Sequence, residues 1–214
     1  MHVAYPTTPA QYFHLLRRQI CRNFRKPLVI AGPKGLLRLS VSNSFFFSFP
    51  SFMTTFCFNV SQAAASSMTE MESGTRFRPV LSDPLNNKQA VSVVMLSGKI
   101  YYELIKERQA RDLNDKVAFI RIEELAPFPF EALEEVLNLY SSAVHFAWLQ
   151  EEPRNQGAWN HVRSRIEMVL SARKSLNGII ELHYLGREES ALPAPGIGTL
   201  YQKQQRSVIE SAFS

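Results

Sequence analysis

Short apolar runs alternate with amphipathic stretches through most of the chain, and this alternation restricts the fold more than any other sequence feature. Five runs predict strands, at residues 26–31, 91–96, 117–122, 145–149 and 179–185. Amphipathic stretches predict helices at 99–112, 131–140, 160–172 and 202–213. Such alternation is typical of parallel sheets joined by right-handed crossovers. We therefore predict an α/β, Rossmann-like fold, with a mostly parallel sheet and helices on both faces.

The composition is that of an ordinary globular domain. The chain has 214 residues, of which 45% are hydrophobic and 20% charged. These values exclude a collagen-like chain, a charged disordered tail and a disulfide scaffold. The two cysteines, Cys21 and Cys57, lack metal-ligand spacing with a histidine pair, so we predict two buried, reduced side chains rather than nucleophiles or ligands.

Positive charge is concentrated at the start of the chain. Residues 1–38 contain no acid and seven bases: Arg17, Arg18, Arg22, Arg25, Lys26, Lys34 and Arg38. Such a segment could bind phosphate, nucleic acid or a membrane surface, but the helical spacing of its apolar residues favours a solvated helix face. It also imitates a mitochondrial presequence, against which Pro6 and Pro9 argue. Membrane-surface binding through residues 13–58 stays a third class of function.

An uncharged segment interrupts the pattern between residues 39 and 69. It holds seven of the fifteen phenylalanines, at positions 45, 46, 47, 49, 52, 56 and 58. Serine, threonine and proline break its apolar runs too often for a membrane-spanning helix. Pyrimidine-rich codons would explain its composition, so residues 41–62 resemble a translated intron. We accordingly divide the chain into an N-terminal helix and first strand at 1–38, a foreign insertion at 39–62, and the rest of the same domain at 63–214.

This segment leads to a first prediction, which concerns solubility. Residues 40–62 should lie outside the core, because loop closure costs little with length whereas seven unplanned phenylalanines would need a pocket. Deleting residues 41–62 should therefore raise solubility, measured as the soluble fraction after expression, and leave the fold intact. A deletion variant that unfolds would show that the segment belongs to the core.

The first candidate site follows the predicted strand 91–96. Ser97, Gly98 and Lys99 lie between this strand and a helix, where backbone N–H groups and a lysine could hold an anion or phosphate. The spacing is neither that of a P-loop nor that of a dinucleotide-binding turn. The alternative is a tight turn with a helix cap.

The second candidate site follows the strand 145–149. Its candidate interface residues are Gln150, Glu151, Glu152, Asn155, Gln156, Gly157 and Trp159. Neighbouring residues of an extended segment point to opposite sides, so Glu151 and Glu152 do not form a catalytic dyad by themselves. Trp159 is either an interface anchor or a core residue. The five histidines are scattered, and we predict no catalytic residue and no metal site.

Several long motifs in a fixed order resemble a known family. They are residues 8–19, 25–34, 97–102, 121–129 and 150–159. Together they are similar to the C-terminal region of the thiamine-dependent component of 2-oxoglutarate dehydrogenase. The ending at 186–199 looks most like that of the 2-oxoadipate dehydrogenase relatives. The resemblance covers nearly the whole chain except about residues 39–62.

The resemblance implies a transketolase C-terminal-like fold and a parent enzyme of the mitochondrial matrix. That enzyme would decarboxylate a 2-oxoacid on thiamine diphosphate and magnesium and pass the acyl group to a lipoyl arm. Its partners would be a second copy, a lipoyl-bearing acyltransferase and dihydrolipoyl dehydrogenase, with no nucleic acid. The diphosphate-binding and pyrimidine-binding domains precede this region in the family, so we expect them to be missing and no cofactor to be bound by this chain. Without a clear presequence, a chain that starts at Met1 could remain cytoplasmic.

Two arginines match basic positions through which some actinobacterial relatives bind acetyl-CoA. These are Arg18 and Arg76, which we keep as candidate anion-binding or partner-binding residues. Glu124, Glu131 and Ala132 stand where those relatives have a glutamine and two arginines, which argues against activation by acyl-CoA. The resemblance implies a fragment that serves subunit assembly and regulation. The alternative is a stand-alone, non-catalytic nucleotide-binding, anion-binding or assembly module.

Overall fold

The computed structural model describes residues 1–32, 65–173 and 180–213. In this part of the chain the strands are β1 His2–Ala4, β2 Leu28–Ile30, β3 Val80–Leu81, β4 Ser92–Leu96, β5 Val117–Ile122, β6 Glu124–Ala126, β7 His145–Pro153 and β8 Leu182–Arg187. The α-helices are α1 Pro9–Cys21, α2 Ile100–Ala110, α3 Phe130–Asn138, α4 Trp159–Ala172 and α5 Gly198–Ser211. A short 3-10 helix covers Met68–Met71.

The main sheet has five strands in the order β3-β5-β4-β7-β8. Strands β5, β4, β7 and β8 are parallel, and β3 pairs antiparallel with β5 at one edge. Every residue of β5 is buried, as expected for a central parallel strand that is covered on both faces. Four of the five predicted strands lie in this sheet, with β7 four residues longer than predicted and β8 ending two residues later.

Helices cover both faces of the main sheet, as predicted. Helices α2 and α5 bury one face, in a cluster that includes Phe119, Leu104 and Val208. Helices α3 and α4 bury the other face, where Leu133 and Ile166 join a second cluster. Alternate residues of β4 and β5 point into the two clusters, which is the period-2 rule for a strand. The predicted α/β, Rossmann-like architecture is confirmed.

The predicted strand at 26–31 lies in a second sheet instead of the main one. Strand β2 pairs parallel with β1, and β1 pairs antiparallel with β6, in the order β2-β1-β6. Helix α1 packs on this sheet through Leu15, beside Ala4 and Phe77. Thr8 caps the helix by accepting a hydrogen bond from the N–H of Gln11.

Hydrogen bonds tie the second sheet to the main domain. The N–H of Tyr5 donates to the carbonyl of Glu123 at 2.7 Å, directly after strand β5. The side chain of Gln11 bonds both backbone groups of Arg78, donating at 2.5 Å and accepting at 3.1 Å. The hydroxyl of Tyr102, on α2, donates to the carbonyl of Thr7. The first 30 residues are therefore fixed to the main domain by several polar contacts.

A buried ion pair fastens the edge strand β3. Asp83 and Arg108 are almost fully buried, and both nitrogens of the guanidinium fork contact the two carboxylate oxygens. The same carboxylate accepts the N–H of Phe119 at 2.9 Å and the N–H of Leu85 at 3.0 Å. One carboxylate thus joins the loop after β3 to helix α2 and strand β5.

In the part that the structure describes, no helix has the length and apolar character to cross a membrane.

The predicted insertion and the two predicted buried cysteines concern the start and middle of the chain. The insertion at 39–62, its predicted place outside the core, and Cys57 lie outside the described residues. Cys21 was predicted to be buried, which is wrong: it is the exposed last residue of α1.

Candidate functional site

The two predicted site segments meet at the carboxyl ends of the neighbouring strands β4 and β7. The loop after β4 leads to α2 on one face, and the loop after β7 leads to α4 on the other. Because β4 and β7 are neighbours, their loops diverge at the point where the strand connections reverse direction. Ligands of open α/β sheets bind in the crevice at such a point. Ser97–Lys99 and Gln150–Trp159 are therefore brought together as the candidate site.

Lys99 is neutralised by Glu151, near the end of β7. Its Nζ lies 2.6 Å from Oε1 of Glu151 and 3.7 Å from Oε1 of Glu103. Burial acts to lower the pKa of Lys99, but the nearby acidic groups, chiefly the Glu151 carboxylate with Glu103, together outweigh it, so the pKa is raised overall. The Nε2 group of Gln205, on α5, donates to Glu151 at 3.0 Å and to Glu103 at 3.2 Å. The predicted anion-binding lysine is thus already engaged by carboxylates of its own chain.

The ring of Tyr5 covers Gly98. Gly98 has a φ of 90°, and a Cβ at this position would lie 2.4 Å from Cε1 of Tyr5. Only glycine allows both this backbone conformation and this close approach. Burial, together with the nearby carboxylates of Glu151 and Glu152, raises the pKa of Tyr5 to about 12. The tyrosine is therefore neutral at physiological pH and closes the turn after β4.

Gln150, Glu151 and Glu152 form the end of β7 instead of the predicted loop, and Gln150 shapes the loop that follows. Its Oε1 accepts the indole N–H of Trp148 at 3.0 Å and the backbone N–H of Trp159 at 2.9 Å. Its Nε2 donates to the carbonyls of Gln156 at 2.8 Å, Pro153 at 3.1 Å and Glu152 at 3.3 Å. One buried amide thus contacts five polar groups, and its two N–H protons are shared among three carbonyls.

Gly157 completes this loop. Its φ is 67°, and a Cβ would lie 2.9 Å from Cβ of Glu152 and 3.0 Å from Nε2 of Gln150. Trp159 is 3% exposed and packs against the ring of Tyr184, in the core. Asn155 and Gln156 instead reach outward and hydrogen-bond Ser190. The interface role of this loop stays a prediction, and it rests on the outward residues.

The two predicted basic residues, Arg18 and Arg76, share no hydrogen-bond partner among the described residues. Arg18 forms two hydrogen bonds with the Glu124 carboxylate, at 2.6 and 2.8 Å, and lies over the ring of Phe77. His2 contacts the same carboxylate at 3.0 Å. Arg76 is exposed. The charge of Arg18 is therefore already balanced by Glu124, and its anion-binding role stays a prediction.

Sequence analysis did not single out Glu123, a buried carboxylate that holds the N-terminal segment through Thr7. It is fully buried, and its carboxylate accepts the N–H and the hydroxyl of Thr7. Arg121 donates to the same hydroxyl at 2.9 Å. The available signal was a carboxylate placed directly after a six-residue strand in which five residues are apolar.

Glu123 gives the stability of the protein a pH dependence. Burial raises its pKa above the ordinary value of 4.5, although Arg121 and Thr7 act against the shift. The folded state therefore binds a proton more tightly than the unfolded state, and the free energy of unfolding falls as pH rises from 4.5 through the raised pKa. Glu123→Gln imitates the protonated form, so its stability deficit relative to wild type should shrink as pH rises. Urea unfolding between about pH 5 and 8 tests this. Glu135→Gln, on the exposed side of α3, is the control, and a constant deficit would contradict the prediction.

The described residues contain no cluster of three or more histidine, cysteine, aspartate or glutamate side chains that could hold a metal ion.

Comparison with family models identifies two regions of the chain. Residues 65–213 match the model described as 2-oxoglutarate dehydrogenase C-terminal. Residues 1–40 match the transketolase pyrimidine-binding domain. The second match places a segment of that domain at the start of the chain, where sequence analysis expected the domain to be missing.

Curated relatives align with almost the whole chain. A 2-oxoadipate dehydrogenase complex component E1 from Danio rerio is 42% identical over 100% of this chain. A probable homologue of that component from Dictyostelium discoideum is 41% identical over 98%. A 2-oxoglutarate dehydrogenase E1 component from Azotobacter vinelandii is 39% identical over 100%. In each case the chain spans about 20% of the relative's length.

A solved structure supports the fold. A split-gene transketolase, described as an inactive β4 tetramer, aligns with a TM-score of 0.54 at 16% identity. The alignment covers 100% of this chain and 56% of the transketolase chain. At this identity the likeness concerns the fold alone.

Proposed function

The chain belongs to the 2-oxoglutarate dehydrogenase C-terminal family, and from this premise we propose that it is the C-terminal part of a thiamine-dependent 2-oxoacid dehydrogenase component that serves subunit assembly and regulation. The closed crevice carries this proposal. Glu151 neutralises Lys99, and Tyr5 covers Gly98, at the edge of the sheet where a ligand would otherwise enter. A crevice filled by the chain's own side chains favours a scaffolding role over chemistry at this edge.

For the longer enzyme we propose oxidative decarboxylation of a dicarboxylic 2-oxoacid, with transfer of the acyl group to a lipoyl arm. Relatives named for 2-oxoadipate and for 2-oxoglutarate align over the whole chain at 42% and 39% identity, so the substrate class is proposed at this breadth. The proposed partners are a second copy of the component, a lipoyl-bearing acyltransferase and dihydrolipoyl dehydrogenase. The proposed compartment is the mitochondrial matrix.

The described residues do not fit thiamine diphosphate and magnesium. A diphosphate held through a divalent cation needs oxygen ligands grouped around the metal, and the described part of the chain has no such group. The one lysine at the crevice is paired with Glu151. We propose that these groups are held by the parts of the enzyme that correspond to the other four-fifths of the relatives.

We also propose that residues 1–38 and 63–214 act as one folded unit that carries 39–62 as an insertion. The contacts of Thr7 with Glu123 and of Arg18 with Glu124 support this, because two successive residues after β5 each hold the N-terminal segment. Residues 1–40 match a different domain model from the rest of the chain. This match is compatible with one folded unit, because β6 completes the sheet that residues 1–40 begin.

Cofactor binding by the 214-residue chain tests the proposal that this chain serves assembly and regulation. Calorimetric titration with thiamine diphosphate and Mg²⁺ should give no saturable binding. Turnover of 2-oxoglutarate and 2-oxoadipate with an artificial electron acceptor should equal that of a no-protein control. Saturable binding, or turnover above the control, would contradict the proposal that this chain contributes assembly rather than chemistry.

The alternative function, a stand-alone anion-binding or nucleotide-binding module, has less support from the same geometry. Lys99 would have to leave Glu151 before it could bind a phosphate group. Inorganic phosphate binding by the wild-type chain, lost on Lys99→Met but retained in the control Lys106→Met on the exposed side of α2, would favour this alternative.

A further inference from the structure

A buried arginine at the end of β8 lacks a carboxylate partner. Arg187 is 8% exposed, yet it takes part in no ion pair within the described residues. In that part of the chain, its guanidinium forms one hydrogen bond, from Nη2 to Oε1 of Gln205 at 3.0 Å, and its enclosed Nε has no partner. Arg108, equally buried, is paired with Asp83. Because buried arginines are normally paired, Arg187 has capacity left for an anion.

A cavity lies directly in front of the residues that hold Arg187. It has a volume of about 300 Å³, between α2 and α5, and Tyr201, Gln205 and Ile209 form part of its lining. Cζ of Arg187 lies 4.8 Å from the centre of the Tyr201 ring. Two lining residues therefore contact the guanidinium. Arg187 and the whole lining belong to the region that matches the 2-oxoglutarate dehydrogenase C-terminal model. A cavity of this volume suits a small ligand.

The amide of Gln205 stands between the guanidinium and two carboxylates. Its Nε2 donates to Glu151 and Glu103, so its Oε1 is turned towards Arg187. A neutral amide oxygen offers Arg187 one acceptor, whereas a carboxylate offers two and a negative charge, and charge-assisted hydrogen bonds are roughly twice as strong. A ligand carboxylate that displaced Oε1 would leave the bonds donated by Nε2 in place. Gln205 thus occupies the acceptor position of an anionic ligand.

The rest of the lining favours a ligand with a single carboxylate. The ring of Tyr201 and the side chain of Ile209 offer apolar surface to a hydrocarbon group. Glu107 and Glu210 also line the cavity, and each is paired with an arginine of its own helix. A second anionic group on the ligand would meet these carboxylates and be repelled. The planar fork of a guanidinium matches a planar carboxylate.

We propose that a small organic monocarboxylate binds in the cavity between α2 and α5. Its carboxylate would bind Arg187 in place of Oε1 of Gln205, and its hydrocarbon part would pack against Tyr201 and Ile209. The proposal rests on the regulatory part of the proposed function and gives that part a ligand class.

Titration of the 214-residue chain with benzoate tests the proposal. In a chain labelled with ¹⁵N-arginine, the Nε–H signal of Arg187, identified by its absence in Arg187→Met, should shift and saturate. In calorimetry, Arg187→Met should weaken benzoate binding about tenfold or more, because the charged donor is lost. Arg163→Met is the control: it removes an exposed arginine from α4, on the other face of the sheet, and should bind as wild type does.

A second variant keeps the test decisive if Arg187→Met does not fold. Gln202 is an exposed residue of α5 that lines the cavity, so Gln202→Trp should fill the space without disturbing the core and abolish benzoate binding. Lys203→Trp adds the same side chain at the next residue, which is exposed and outside the lining, and should leave binding unchanged.

Two further probes test the ligand class. Succinate should bind more weakly than benzoate, because its second carboxylate would face Glu107 and Glu210, and inorganic phosphate should bind more weakly because it has no hydrocarbon group. Succinate or phosphate binding as tight as that of benzoate would overturn the monocarboxylate class. No saturable benzoate binding, or binding kept in both Arg187→Met and Gln202→Trp, would overturn the site. Thiamine diphosphate titration is a separate measurement, so the proposed function and this inference can fail separately.

Discussion

Gln150→Ala should lower the free energy of unfolding by about 3 to 5 kcal/mol. The substitution leaves the indole N–H of Trp148 and the backbone N–H of Trp159 without their acceptor. A buried polar group that loses its partner costs about 1 to 3 kcal/mol. The carbonyls of Pro153 and Gln156 lose a donor at the same time. Urea unfolding followed by tryptophan fluorescence measures the change as a lower transition midpoint.

Two further variants separate hydrogen bonding from volume at this position. Gln150→Met keeps most of the side-chain volume but none of the hydrogen bonds, so it should remain strongly destabilised. Gln202→Ala removes an exposed glutamine from α5 and should change stability by less than about 0.5 kcal/mol. A methionine variant as stable as wild type would show that Gln150 acts by filling space alone.

Asp83→Ala should destabilise the protein by a similar amount, about 3 to 5 kcal/mol. The guanidinium of Arg108 would then be buried without a counter-charge, and the N–H groups of Phe119 and Leu85 would lose their acceptor. The loss should appear in the same unfolding measurement. Edge strand β3 should also show faster hydrogen exchange, because this carboxylate joins the following loop to α2 and β5.

The double variant Asp83→Leu with Arg108→Met tests the electrostatic cause. With both charges replaced by apolar side chains, no unpaired charge remains, so the double variant should be more stable than Asp83→Ala. Asp115→Ala removes an exposed aspartate and serves as the control. A double variant that is less stable than the single one would show that the ion pair itself supplies the stability.

The central strands of the main sheet could be predicted from sequence because their apolar runs are continuous. Strand β5 was predicted with its exact bounds, since each of its six residues is buried. Strands β1, β3 and β6 were missed, because two or three residues are too few to show a period. The second sheet could not be inferred either, because it pairs β1 with a strand more than a hundred residues away.

The sequence could place both segments at the carboxyl ends of neighbouring strands, but it could not predict their contacts. Strand β7 continues to Pro153, so Gln150, Glu151 and Glu152 lie in the strand and not in the predicted loop. The residues that close the crevice come from elsewhere: Tyr5 follows β1, and Gln205 lies on α5. No local spacing links these residues to Lys99, so only the fold reveals that its charge is already balanced.

The pairing of β1 with β6 also sets an order of events during synthesis. His2 contacts Glu124 across 122 residues of sequence. At a translation rate of roughly 5 to 20 residues per second, the N-terminal strands wait on the order of 6 to 25 seconds for this partner to be made. Throughout that interval the parallel strands β1 and β2 have a free edge and an acid-free, cationic helix beside them. We expect the unpaired edge of β1 to be open to chaperone binding until residue 126 has left the ribosome.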